Sequence, residues 1–165
     1  MSEQSEALTR PYVVAVISLQ PDRPLFTLRI SNIGKTPAAD LKLTLDHDFK
    51  KYGRDEQSHS LASYAAFNEK IDSFPPGAEI YFDLAQGFVV FGKDAKEDLT
   101  PKTFTITAEY RFGNKSVVEN NIIDLRPYYM SSLPDDPNYE QFKKIAESIS
   151  KAGEKIEKQI EKLKR

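Results

Sequence analysis

The sequence predicts a mostly-β protein: an antiparallel β-sandwich with a short inserted helix, followed by a long C-terminal amphipathic α-helix. Three observations carry that prediction. Between residues 11 and 126, runs of alternating apolar and polar side chains recur, separated by Gly, Pro and Asn; alternation with such breaks marks half-buried strands of an antiparallel fold. Residues 60–70 interrupt the alternation with an alanine-rich stretch. From Asn138 onward the apolar residues recur every three or four positions, the period of a helix. At 165 residues the chain has the length of one domain and can bury a sizeable core.

Residues 1–10 (Met1 to Arg10) carry no apolar periodicity and read as a flexible N-terminal segment. The sandwich is expected over 11–130. Tyr12-Val13-Val14-Ala15-Val16-Ile17 is rich in β-branched residues. Leu25-Phe26-Thr27-Leu28-Arg29-Ile30 follows Pro24, and Leu41-Lys42-Leu43-Thr44-Leu45 sets leucines on one face. Ser60 to Lys70 reads as a short helix with Ser60 as its N-cap. Ile80-Tyr81-Phe82-Asp83-Leu84 follows the turn Phe74-Pro75-Pro76-Gly77. Gly87-Phe88-Val89-Val90-Phe91-Gly92 reads as a buried strand bracketed by glycines, or else as an exposed loop that docks on a partner or membrane surface. The Lys93–Asp98 run after it faces solvent. Residues 104–112 alternate, Gly113-Asn114 turns, and Ser116-Val117-Val118 and Asn121-Ile122-Ile123-Asp124-Leu125 close the series.

The chain changes character near residue 136. Residues 1–136 carry 15 basic and 20 acidic side chains, whereas 137–165 carry 8 basic and 5 acidic. Leu133-Pro134-Asp135-Asp136-Pro137 is a stop-and-restart signal between them, so 131–165 is expected to be linker and helix. The net charge of -2 makes nucleic acid a poor partner.

Around the first tight turn, Ile30-Ser31-Asn32-Ile33-Gly34-Lys35-Thr36-Pro37-Ala38-Ala39-Asp40-Leu41 resembles the N-x-G-x-x-x-A signature of bacterial immunoglobulin-like domains. Phe74-Pro75-Pro76-Gly77-Ala78-Glu79 resembles their later Pro-Gly turn. With Arg10-Pro11-Tyr12-Val13 ahead of it, the chain is similar over residues 10–126 to uncharacterised bacterial and prophage proteins. In these the domain often follows membrane helices and a coil. The resemblance implies an immunoglobulin-like sandwich and leaves function open, since that architecture hosts many roles. The turn also has its own physical reading: Gly34 permits the positive φ a tight turn needs, Asn32 can bond to nearby main chain, and Pro37 stiffens the exit.

Several function classes are excluded by composition. The chain has no cysteine, which removes thiolate catalysis, disulfides and cysteine-ligated metals. No apolar run approaches the 18 to 20 residues needed to span a bilayer, and the N-terminus has neither a basic nor an apolar leader region. A cytoplasmic location is expected, or the inner-membrane surface if the chain is part of an anchored protein. Gly34-Lys35-Thr36 matches the end of a phosphate loop, but Arg29 stands where its first glycine belongs and a strand follows. Asp46-His47-Asp48 with His59 could supply a metal ligand set, but a site needs three or four ligands in fixed geometry, and Asp and His at a strand end read more simply as a solvated turn. Ser58-His59-Ser60 are sequence neighbours rather than segments converging from afar, and no Gly-x-Ser-x-Gly elbow occurs. Asp135-Asp136 and Glu97-Asp98 read as solvating charges, and the Asn114-Lys115-Ser116 sequon matters only on export. No catalytic residue, cofactor or metal is expected.

Two groups of residues point to interactions. Arg126-Pro127-Tyr128-Tyr129-Met130 joins sandwich to tail with residue types favoured at interfaces; its tyrosines could also staple the tail to the sandwich. In the tail, Phe142, Ile145, Ile149, Ala152, Ile156, Ile160 and Leu163 are spaced 3, 4, 3, 4, 4 and 3 apart, a heptad-like stripe. Asp135, Asp136 and Glu140 at one end, and Lys162, Lys164 and Arg165 at the other, suit the helix dipole. Glu154 and Lys158 form an attractive pair, and Gly153 is a weak point. A helix of this length reaches about 42 Å, beyond one edge of a small sandwich. The expectation is therefore a non-enzymatic interaction or assembly module. Phe142, Ile145, Ile149, Ile156, Ile160 and Leu163, with Arg126, Tyr128 and Tyr129, would contact another copy or a protein partner, and membranes only peripherally or through an anchor. The alternative is a ligand-sensing or regulatory component of bacterial defence or prophage biology that uses the 46–70 and 85–101 loops.

Overall fold

The computed structural model describes residues 3–19, 21, 24–133 and 137–164. In chain order they form α1 (Glu3–Thr9), β1 (Val13–Leu19), β2 (Leu25–Asn32), β3 (Ala38–Leu45), α2 (Ala65–Asn68), β4 (Ile71–Phe74), β5 (Glu79–Gln86), α3 (Gly87–Phe91), β6 (Thr103–Phe112), β7 (Lys115–Asp124) and α4 (Pro137–Leu163). The seven strands make two antiparallel sheets, ordered β1-β2-β5 and β4-β3-β6-β7, which is the predicted sandwich. Residues 134–136 of the stop-and-restart signal, and the dipole charges assigned to Asp135, Asp136 and Arg165, lie outside the described residues.

Alternation explains the core. β6 buries Phe104, Ile106, Ala108 and Tyr110 and turns the residues between them outward. From the facing sheet, Leu28 and Ile30 of β2 meet them, with Leu41 and Leu43 of β3 alongside. Each such buried side chain contributes about 1.5–3 kcal/mol of apolar burial. Phe49 and Leu61, from the connection after β3, plug one end, and Phe49 packs 5.7 Å from Phe104.

Four local expectations are corrected. Residues 1–10 are not wholly irregular: Glu3–Thr9 is helical, Glu6 pairs with Lys115, and the Thr36 hydroxyl donates to the Thr9 carbonyl at 2.8 Å. Residues 60–70 are not one helix capped by Ser60. Single 3-10 turns at Gln57–His59 and Leu61–Ser63 precede the one-turn α2, and Ser60 Oγ donates to Asp48 Oδ2 at 2.6 Å instead. The segment packs onto the sandwich, with Tyr64 stacked on Phe82 of β5 at 5.7 Å and Phe67 at 5.5 Å. Residues 87–92 are not a strand; α3 is a single helical turn with Val90 buried and Phe88 69% exposed. Residues 115–124 are one continuous strand rather than two.

Candidate functional site

Chemistry-bearing residues read from the sequence are occupied structurally. The Asp48 carboxylate accepts from the backbone N–H of Phe49 at 2.9 Å and Ala62 at 3.0 Å as well as from Ser60, so it organises its loop. His47 stands beside Asp46 and His59 beside Glu56, and no group of three or more His, Asp or Glu with metal-site geometry occurs among the described residues. Ser58 Oγ lies 3.2 Å and the Glu56 carboxylate 3.3 Å from the same ring nitrogen, His59 Nδ1, so the two compete for one atom instead of forming a relay across the imidazole. The Gly34-Lys35-Thr36 turn leads into β3, as its sequence context requires.

A cavity of about 490 Å³ with a charged rim lies over Asp40, Lys42, Lys70, Glu109 and Arg111. Three of its charges, Asp40, Lys70 and Arg111, satisfy one another. Asp40, in a left-handed conformation at a bulge of β3, accepts from Lys70 at 3.0 Å and from Arg111 Nε at 2.6 Å. The hydrogen bond from Lys70, then that from Arg111, holds its carboxyl below the usual range.

The apolar cavity differs. The polypeptide from Leu125 to Ser131 folds back over the end of the sandwich through a 3-10 turn at Arg126–Tyr128. Tyr128 stands edge-on to buried Phe26 at 5.7 Å, and Phe26 stands edge-on to Phe91 of α3 at 6.1 Å. Tyr129 tilts over Phe91 at 5.2 Å. The helical form of α3 follows from its brackets. The Gly87 N–H donates to the Pro24 carbonyl, and a Cβ on Gly92 would strike the main chain of Phe88. One helical turn moves Phe88 and Phe91 toward the tyrosines, where a strand would have split them between faces. The result is a groove of about 330 Å³ walled by Phe26, Phe88, Phe91, Tyr128, Tyr129 and Met130, at the small end of ligand pockets and lined mostly by hydrocarbon. Arg126 turns away and holds Asp124 through two hydrogen bonds of 2.9 and 3.0 Å.

The structure thus joins the predicted Tyr128 and Tyr129 to Phe88 and Phe91, which the sequence placed in a separate strand or docking loop. The Gly-x4-Gly bracket was the only local signal for them. The loops of the sensing alternative pack together, with the Lys50 N–H donating to the Leu99 carbonyl at 2.7 Å. Between them, beside Gly53 and Val89, a space of only about 100 Å³ remains.

The tail residues stand apart from the groove. All described side chains of α4 are exposed, and Phe142, Ile145, Ile149, Ile156, Ile160 and Leu163 are between 47% and 86% exposed. Glu140 in the first turn and Lys162 in the last suit the helix dipole. No helix among the described residues is long and apolar enough to cross a membrane.

Residues 1–129 match a protein family described as a domain of unknown function, DUF8453. No curated protein matches the chain. The match spans the sandwich and ends at Tyr129, so most of the groove lies inside it and α4 lies outside.

Proposed function

On the premise that the chain belongs to the DUF8453 family, we propose that it is a non-enzymatic interaction and assembly module, a sandwich joined to other protein through α4. The observation that carries this reading is the uncovered stripe of Phe142, Ile145, Ile149, Ile156, Ile160 and Leu163 on a 27-residue helix. Apolar side chains repeated along one helix face gain about 25 cal/mol for each Å² removed from water, and a facing helix is the usual means of burying them. The resemblance of the first turn to bacterial immunoglobulin-like domains agrees with a scaffold that displays surfaces. The groove around Phe88 and Tyr129 would then be a second, smaller contact surface for an apolar side chain.

Light scattering on the full chain tests the proposal. The expected result is a mass that is a multiple of the 18.7 kDa chain, falling to one chain in an Ile149→Asp/Ile156→Asp variant whose sandwich still melts cooperatively. A variant with the same mass as the parent overturns it.

A further inference from the structure

Soluble sandwiches guard their strand edges against pairing. Here β4 is only four residues long and sets Asp72 in solvent, and β5 is packed by Tyr64 and Phe67 on its Phe82. The other two edges, β1 and β7, belong to different sheets and face each other with no ladder between them. At one end side chains clasp this seam. Arg10, just ahead of β1, pairs with Glu119 of β7 at 3.2 Å, and Asn121 Oδ1 accepts from the Ala15 N–H at 3.1 Å. Residue numbers rise together in the two contacts, so β1 and β7 run the same way and the next pair along is Ile17 beside Ile123. The clasp ends there for a chemical reason. Of the inward residues Glu119, Asn121 and Ile123, only the first two carry an oxygen that can accept from main chain. Main-chain groups of alternate strand residues point the same way, so Ile17 turns its N–H and carbonyl toward the seam as Ala15 does, and Ile123 offers them no partner. A cavity of about 390 Å³ opens at this point between Ala15, Ile17, Ile123 and Tyr128. Its lips are apolar: Val16 is 37% exposed, and Ile122, at 75%, is the most exposed large apolar side chain of any described strand.

From this geometry we infer that the open half of the seam binds an extended peptide segment of another protein, which adds to the edge of β1 as a short strand. Hydrogen bonds to the main chain of Ile17 attach it. Its alternate side chains meet Ile17 and Ile123 on the inside and Val16 and Ile122 on the outside. The segment is therefore apolar and rich in β-branched residues, which pack well on a pleated surface. An uncharged segment also suits the electrostatics, because the one carboxylate on the cavity, Asp124, is already held by two hydrogen bonds from Arg126. The edge of a second copy does not fit. An edge strand brings its neighbouring strand with it, and β7 stands across that space, whereas a single extended segment has no such neighbour. From Ala15 to Leu19 the edge runs about 13 Å, room for about four residues. This surface is separate from α4 and from the assembly reading.

Phage-displayed random heptapeptides are the probe. They are selected on the full chain and counter-selected on Val16→Lys/Ile122→Lys, in which charges on the exposed lips block strand addition. Ile17→Pro repeats the test with the edge N–H removed and the β1–β2 ladder kept, and thermal melting checks that both variants fold. The expected result is a set of peptides rich in neighbouring β-branched residues that bind the parent and bind each variant about tenfold more weakly. With such a peptide bound, exchange of the Ile17 amide, followed by NMR, slows about tenfold, and a copy of the peptide methylated on its main-chain nitrogens does not bind. No enriched peptide, peptides that bind parent and variants equally, or an Ile17 amide whose exchange does not change each overturn the proposal. All three leave the assembly reading standing, because α4 is intact throughout and light scattering tests it alone.

Discussion

Asn32 shows how one side chain can hold three segments. Its Oδ1 accepts from the backbone N–H of Tyr12 at 3.0 Å and of Gly34 at 2.9 Å, and its Nδ2 donates to the carbonyls of Thr36 and Phe74, both at 2.9 Å. A fully buried amide with four partners has its whole hydrogen-bonding capacity met. The start of β1, the turn before β3 and the end of β4 are therefore tied at one point. Gly34 does not take up the positive φ expected of it; it sits inside this knot for lack of space, since a Cβ there would lie 2.6 Å from Pro11 Cα and closer still to the main chain of Arg10 and Tyr12. Backbone cannot swing aside as a long side chain can. Gly34→Ala is expected to lower the stability of the sandwich by about 1–3 kcal/mol, the usual cost of overpacking. Asn32→Ala is expected to cost about as much, because it strips buried main-chain groups of their partners. Urea denaturation midpoints measure both, and a Gly34→Ala midpoint equal to the parent's contradicts this account of the turn. The N-x-G pattern was legible as a turn in the sequence. The crowding that demands glycine was not, because it comes from Pro11, more than twenty residues earlier in the chain.

Among the elements, β1 and β7 meet where the edges of the two sheets lie on the same side of the sandwich. A free strand edge invites unwanted pairing, and here β7 covers part of β1 with inward-pointing polar side chains. Asn121 Oδ1 accepts from the Ala15 N–H at 3.1 Å, and Glu119 lies on the same inward side of β7. Glu119 receives Arg10 at 3.2 Å and lies beside the buried Tyr110 hydroxyl, which donates to the Pro11 carbonyl at 3.1 Å. Burial dominates both titrations: it raises the Glu119 carboxyl above its ordinary value and pushes the Tyr110 phenol up to about 12. For a carboxyl raised in the folded state, the folded form binds more protons between the ordinary pKa and the raised one. The contribution of Glu119 to stability is therefore full below that window and falls as pH rises through it. The carboxyls of Asp40 and Asp124 are lowered, so their contributions are lost only as pH falls below the ordinary carboxylate range. The two effects occupy separate windows. The stability difference between the parent and Glu119→Gln, measured by urea unfolding from pH 4 to 7, should shift against the parent as pH rises just above 4.5. A difference flat across that range contradicts the burial of this carboxylate. The same residues explain why β7 was read as two short strands: Glu119 and Asn121 put polar groups on its inward face and broke the alternation. β4 escaped notice because Ile71-Asp72-Ser73-Phe74 is too short to show a period. α3 was read as a strand or a docking loop because the four apolar and aromatic residues between its glycines carry no period at all, and its start is tied down by the hydrogen bond from the Gly87 N–H to the Pro24 carbonyl.

Across the whole molecule, sandwich and tail solve burial differently, and this much was plain from the sequence. A period of two closes on itself when two sheets face each other, whereas the stripe of α4 finds no cover within its own chain. Which surface of the sandwich would carry the groove was not legible, because Phe88, Tyr129 and Phe26 are brought together only by the fold. The separation has a thermodynamic consequence. Association stabilises a fold only to the extent that the associating surface is lost on unfolding, and it then makes the melting temperature depend on concentration. The apolar residues that would associate on α4 are exposed and outside the core of Leu28, Ile30, Leu43, Ile106 and Tyr110. Removing α4 should therefore leave the melting of the sandwich unchanged within about 2 °C, a shift corresponding to well under 1 kcal/mol for a domain of this size. Dilution should leave the melting temperature of the full chain equally unmoved, even where light scattering shows the assembly coming apart. Scanning calorimetry on the full chain and on a version ending at Leu133, each at two concentrations a hundredfold apart, makes the comparison. A melting temperature that rises with concentration in the full chain alone would mean that the assembled helices also brace the sandwiches, and the two parts would then be one cooperative unit.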